Sequence, residues 1–239
     1  MRLKAVSGSV LHGRGVFTTI AMVDGEPFEW RRHVDRLNRD AGVIGLESVI
    51  GLAETLLPGL VELADRNGHR NGKARITFLE ASTPLLWDPG AKPDVSAVIQ
   101  TGDLPLPGDP LCMTVSPFGV NSGSPLAGVK TCNYLEPLLA ADEARRRGFD
   151  EAIRLNEHGK VTGCCLANLF WTSRKRGAIQ TPSLMTGCLP GTTRGYLLET
   201  IDAEEFAVTL REFLEDAASV FVTSAVKGIR PVAIVEGSS

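Results

Sequence analysis

Apolar-rich runs at residues 16–22 (VFTTIAM) and 27–30 (PFEW) flank Val23-Asp24-Gly25-Glu26, and the Asp-Gly pair marks a hairpin turn. The period then changes. Val34, Leu37, Ala41 and Ile44 recur at intervals of three and four, which predicts a helix over 31–46 with one apolar face. Residues 48–67 read as a second helical region, broken or restarted around Pro58. Residues 74–80 and 94–101 have the β-branched character of strands, so the first part is a small α/β unit closing near Gly102. Residues 104–110 hold three prolines and a glycine and read as a linker. Beyond them the pattern predicts a strand over 111–116 and a helix over 135–147 that stops at Gly148. A hairpin (151–155 and 160–170), a short helix over 193–201 and a late strand over 218–223 follow. The expected class is α/β (α+β), with domains at 1–103 and 111–239, the larger one rich in strands.

Composition narrows the functional classes. The chain has 239 residues, 43% hydrophobic and 22% charged, enough to bury a sizeable core. A formal charge of −3 gives no basic footprint for nucleic acid. No apolar stretch reaches the ~18 residues a membrane span needs, and MRLKAVSGSV lacks the apolar core of a signal peptide. A cytoplasmic protein is expected. The five cysteines form no C-x-x-C pair, so reduced thiols are expected, and the four histidines show no metal-binding spacing.

Two glycine motifs fail on inspection. Gly13-Arg14-Gly15 opens like a dinucleotide fingerprint, but Thr18 occupies the third glycine position and the motif precedes a strand. Gly72-Lys73 lacks the upstream glycine of a P-loop and is followed by Ala74, not a hydroxyl.

Lys130 carries more. It follows the Gly/Pro/Ser-rich residues 119–128 and stands just before a predicted helix. Downstream, Leu189-Pro190-Gly191-Thr192-Thr193-Arg194 forms a turn into a helix, whose first N–H groups suit an anion. Ser224-Ala225 follows a strand and offers a hydroxyl and a free N–H. Arg36 lies next to the apolar helix face, from which a guanidinium can reach inward to a phosphate. An amine, an anion turn and an arginine beside an apolar helix face suit a Schiff base with pyridoxal phosphate. Each feature alone has an ordinary reading: helix start, strand-end turn, surface arginine.

The blocks GRGVFTTI, HVDRL, KTCNYL, DEAIRLNEHGKVTGCCLANLFW and CLPGTTR occur in order along nearly the whole chain. Together they resemble the class IV aminotransferases, the fold type IV pyridoxal phosphate enzymes. The double cysteine before ANLFW is most similar to the family's 4-amino-4-deoxychorismate lyases. The resemblance implies a small α/β domain, a larger pseudobarrel domain carrying the Schiff-base lysine, and a homodimer acting on a small amino substrate. It implies Lys130 as Schiff-base amine and acid–base. Arg36, Thr192, Thr193, Ser224 and Ala225 would hold the cofactor phosphate, and Tyr134 would donate to the ring hydroxyl. Phe17 and Thr19 would line the substrate side; Asn168 and Phe170 would be structural.

Two departures stand out. Family members carry a glutamate after V-T in the central hairpin, paired with the pyridine nitrogen; here Gly163 occupies that place. Losing the carboxylate disfavours the protonated ring and its capacity to hold carbanion charge, which favours elimination over transamination. On this reading Gly163→Glu raises half-transamination. Only about a dozen residues precede GRGVF, and residues 83–93, with Trp87, read as a flexible loop. Arg14, Arg75 and Lys227 are candidate anchors for substrate carboxylates. Three readings remain open: a lyase, a branched-chain or D-amino-acid aminotransferase, and a non-catalytic homologue.

Overall fold

A computed structural model describes residues 5–82, 94–106 and 108–236. Trp87 and the rest of the expected loop at 83–93 lie outside these residues. The chain divides into two compact units, Met1–Pro105 with Val129–Tyr134, and Leu106–Gly128 with Leu135–Ser239.

In the first unit, helix α1 (Gly8–His12) precedes strand β1 (Gly15–Val23), followed by β2 (Glu26–Pro27) and α2 (Trp30–Val43). Asp24 and Gly25 have φ of 52° and 92°, the positive values a two-residue I′ hairpin turn requires. The second arm is shorter than its apolar run, because Trp30 already begins α2. Short 3-10 turns at Glu47–Val49 and Ala53–Leu56 lead to α3 (Leu57–Arg66). Pro58 sits in the first turn of α3, where its missing N–H leaves no helical bond unmade. Strands β3 (Gly72–Glu80) and β4 (Val95–Asp103) complete an antiparallel sheet ordered β2-β1-β3-β4.

Period two divides this sheet. Val16, Ile20 and Met22 of β1 and Ala74, Ile76 and Phe78 of β3 pack with Val34, Leu37 and Ala41 of α2. Burying each large side chain contributes about 1.5–3 kcal/mol. The alternate residues Phe17, Thr19, Arg75 and Thr77 belong to the opposite face. The lysine segment joins this unit, not the strand-rich half in which it was expected. Thr131 bridges Val16, Phe17 N–H donates to Lys130 O (3.2 Å), and Cys132 N–H donates to Gly15 O (2.8 Å). Gly15 permits that approach: a Cβ there would lie 2.9 Å from Cys132 Sγ.

The second unit holds β5 (Leu111–Val115), α4 (Leu135–Arg146), β6 (Glu151–Leu155), β7 (Val161–Cys164), β8 (Asn168–Ser173), β9 (Ile179–Pro182) and α5 (Thr192–Thr200). It ends with β10 (Ala203–Phe206), α6 (Leu210–Asp216), β11 (Ala217–Ser224) and β12 (Gly228–Val235). Its sheet is mixed and eight-stranded, ordered β10-β9-β8-β11-β12-β5-β6-β7. The expected strand over 160–170 is two strands, because β7 pairs with β6 while β8 pairs with β9 and β11. Helix α6 begins with a capping box between Thr209 and Glu212. Met113, Ile153, Leu169, Trp171 and Phe213 centre the core. Among the described residues no helix is long and apolar enough to cross a membrane, and the five cysteines are unpaired.

Candidate active site

Helix α2 carries His33, Arg36 and Asp40 at intervals of three and four, a polar stripe beside the apolar one. All three are buried. Arg36 Nη2 donates to Thr18 Oγ1 at 2.6 Å, and Thr18 Oγ1 lies 2.6 Å from His33 Nδ1. A guanidinium only donates, so Thr18 Oγ1 is the acceptor for Arg36 while its second contact is His33 Nδ1. Burial, then the charges of Arg36 and Lys130, hold the His33 pKa well below its usual value, in accord with a neutral ring. Burial lowers the Arg36 pKa to about 10, with Asp40 opposing, and its buried Nε has no acceptor. A desolvated cation with an orphaned donor suits an anionic ligand.

Above this stripe stands Lys130, half-buried, its Nζ 3.1 Å from Tyr134 Oη. Nζ lies 4.5 Å from the Phe17 ring centroid and 4.4 Å from that of Tyr134; the two rings meet edge to face at 5.2 Å. The Arg75 guanidinium stacks 3.7 Å over the other contact of this cluster, the Phe17 ring, while its Nε donates to Thr77 Oγ1. Burial first, then Arg36 and Arg75, lower the Lys130 pKa from 10.5 to about 7, with Asp40 opposing. At neutral pH that gives on the order of a thousandfold more free amine than an ordinary lysine. Thr19 is the cross-strand partner of Arg75, so it shares this neighbourhood. Arg14 does not: its guanidinium donates to Ile44 O, Gly45 O and Glu80 Oε1, tying α2's exit to β3.

In the second unit, Gly191 N-caps α5 without a side-chain cap. The N–H groups of Thr192 and Thr193 have no acceptor within the helix, and the dipole favours an anion there. Asn168 builds this turn. Its Nδ2 donates to Leu189 O (2.8 Å), and a Cβ on Gly191 would fall 2.0 Å from its Oδ1, so the close approach demands glycine. Arg194 turns away to Pro182 O and Glu205, leaving main-chain donors as the turn's resource. Phe170 stacks on Phe221 at 5.0 Å, a packing role. Ser224 and Ala225 lie at the end of β11, where Ser224 Oγ accepts from Lys227 N–H (3.1 Å). Thr223 Oγ1, next to them, is buried without a partner. Gly163 lies opposite Arg154 in β7 at φ +134°, a conformation side chains rarely adopt.

Sequence reasoning had assigned no role to Asp40, Thr18, His33 or Thr223. Asp40 stands four residues after Arg36, so the helical period already put them on one side; Thr18 required the strand's register against α2. Among the described residues no group of His, Cys, Asp and Glu is arranged to hold a metal ion.

A family profile described as "Amino-transferase class IV" matches residues 15–235. An aminodeoxychorismate lyase of Bacillus subtilis is 29% identical over 95% of this chain and 79% of its own length. A putative branched-chain-amino-acid aminotransferase of Methanocaldococcus jannaschii is 28% identical over 95% and 81%. In structure, a branched-chain aminotransferase from Thermoproteus uzoniensis superposes with a TM-score of 0.85 at 28% identity, covering 99% of this chain and 83% of that one.

Proposed function

The chain belongs to the class IV aminotransferase family and is a pyridoxal 5′-phosphate-dependent enzyme; from that premise we propose that it is a lyase converting 4-amino-4-deoxychorismate to 4-aminobenzoate and pyruvate. The residues fit the cofactor. Lys130 offers an amine made far less basic than usual by burial, Arg36 an unsatisfied buried donor, and α5 a set of open N–H groups. When bound, pyridoxal phosphate supplies an aldehyde carbon and a ring that accepts the electron pair left as the substrate's amino-bearing carbon loses a proton.

We assign the phosphate to Arg36, Thr192, Thr193, Ser224 and Ala225, and the ring hydroxyl to Tyr134. Lys130 Nζ is the amine the aldehyde takes, and the base. It accepts the substrate proton and, as an ammonium, returns it to the departing three-carbon group. Tyr134 Oη fixes the position of Nζ at 3.1 Å. Phe17 presents the flat wall on which Arg75 is stacked, and Arg75 and Thr19 meet the substrate, the guanidinium pairing with a carboxylate. We assign a homodimer, and the exposed Leu135, Leu138 and Leu139 of α4 offer an apolar strip for the partner.

The observation that carries the lyase over the aminotransferase is Gly163. No side chain there can protonate the pyridine nitrogen, and elimination relieves carbanion charge that transamination must hold. The test is product release: pyruvate and 4-aminobenzoate from 4-amino-4-deoxychorismate, against spectral conversion by a panel of L- and D-amino acids. Lys130→Ala is expected to lose the yellow colour and at least about a thousandfold in turnover. Rapid conversion by amino acids with no pyruvate release would establish the aminotransferase reading. A protein that stays colourless with added cofactor would be a non-catalytic homologue.

A further inference from the structure

Asp40 is a buried acid hydrogen-bonded to the nucleophile's main chain. Its side chain is 1% exposed on α2. One oxygen, Oδ2, accepts the backbone N–H of Lys130 at 2.9 Å, across 90 positions of sequence. The other, Oδ1, accepts from Arg39 Nε (2.9 Å) and Nη2 (2.5 Å). Both oxygens are thereby fixed, one of them by the amide of the residue whose side chain does the chemistry.

The fit is more specific than a stray ion pair. The segment Val129–Tyr134 is no regular strand; Thr131 makes an isolated bridge to Val16, and Lys130 contributes only its carbonyl to β1. Its N–H goes to Asp40 instead, and without that carboxylate a part-buried donor would lose its acceptor. Charge is the second half of the case. The groups acting on or touching Lys130 are His33, Arg36 and Asp40 on α2, Arg75 on β3, and Phe17 and Tyr134 around its Nζ. Burial and two of these cations, Arg36 and Arg75, disfavour the protonated amine, and the Asp40 carboxylate opposes them.

We propose that Asp40 is a positioning residue for Lys130, clamping the nucleophile's backbone and supplying the negative charge that keeps its amine basic enough to carry a proton. The inference rests on the reading of Lys130 as the amine that takes the aldehyde. Burial and the neighbouring guanidiniums push the Lys130 pKa down, and Asp40 acts against them.

The test is made on the full-length cofactor-free protein, so it does not depend on turnover. Lys130 is labelled with acetic anhydride across a pH series, and the labelled peptide is quantified by mass spectrometry. Asp40→Asn keeps an oxygen of the same shape for the Lys130 N–H but removes the charge. Its labelling midpoint is expected to fall by about one pH unit relative to wild type, the size of effect a close buried charge exerts. An unchanged midpoint in folded Asp40→Asn overturns the electrostatic role. Should that variant not fold, hydrogen exchange on the wild type decides: a protected Lys130 amide supports the clamp, and exchange at the rate of a free peptide overturns it. Wild-type colour on adding pyridoxal phosphate, and its loss in Lys130→Ala, reads the assignment of Lys130 separately. A colourless wild type would overturn that assignment while the midpoint shift still reported Asp40.

Discussion

The two units differ in the polar groups they present. The first gathers ionisable side chains: Lys130, Arg36, Arg75 and Asp40 act on one another, and the pKa values of the first three are all depressed, chiefly by burial. The second offers main-chain N–H groups at the start of α5, with its arginine turned away to Pro182 O and Glu205. Side chains in a desolvated cluster can tune a proton's affinity, because each charge changes the cost of the next. Backbone donors cannot titrate, so they bind an anion of fixed charge without responding to pH. Groups able to exchange a proton are therefore in the first set, and donors of fixed protonation in the second.

The sharpest way to break this contrast is to titrate the amine. Capture of an aldehyde needs neutral Lys130, which predominates above a pKa near 7 and is lost as pH falls below it. Labelling should rise to about pH 7 and then level off. A rate still climbing past pH 9, as for an ordinary lysine, would mean that the first unit does not tune its nucleophile, a difference on the order of a thousandfold at neutral pH. Next in size, Arg36→Met should weaken cofactor binding about 10–100-fold, from losing a charge-assisted bond of about 1.5–3 kcal/mol. Fluorescence titration measures it, and a change below twofold would assign the phosphate wholly to main-chain donors. The smallest effect is in the second unit. Gly163→Ala should lower stability by about 1–3 kcal/mol in urea melts, because φ +134° is strained for any side chain. A neutral substitution would show that β7 relaxes. Only then would Gly163→Glu report on the pyridine nitrogen alone.

What could be read from residue order follows the range of the forces involved. The α2 face of Val34, Leu37 and Ala41, the Asp24-Gly25 turn and the Gly191-Thr192-Thr193 helix start are local, set within one turn of chain by period and backbone preference. The elements β9, β10, α6 and β12 were missed; β10 pairs with β9 across α5 and β12 with β5 across most of the second unit, contacts that local propensity does not report. Arg14 and Arg75 looked alike as candidate anchors; the fold ties the first to Ile44, Gly45 and Glu80 and lays the second on Phe17.

By itself, the sequence determined which residue types were present in which order: an amine at 130, a guanidinium at 36, a glycine-threonine helix start, no acid at 163. Tertiary structure alone decided that Lys130 joins the first sheet, that Asp40 meets its amide, and that its pKa falls to about 7. The reason is physical. Basicity and reach depend on desolvation and on charges a few ångströms away, and those neighbours come from α2 and β3, far from Lys130 along the chain.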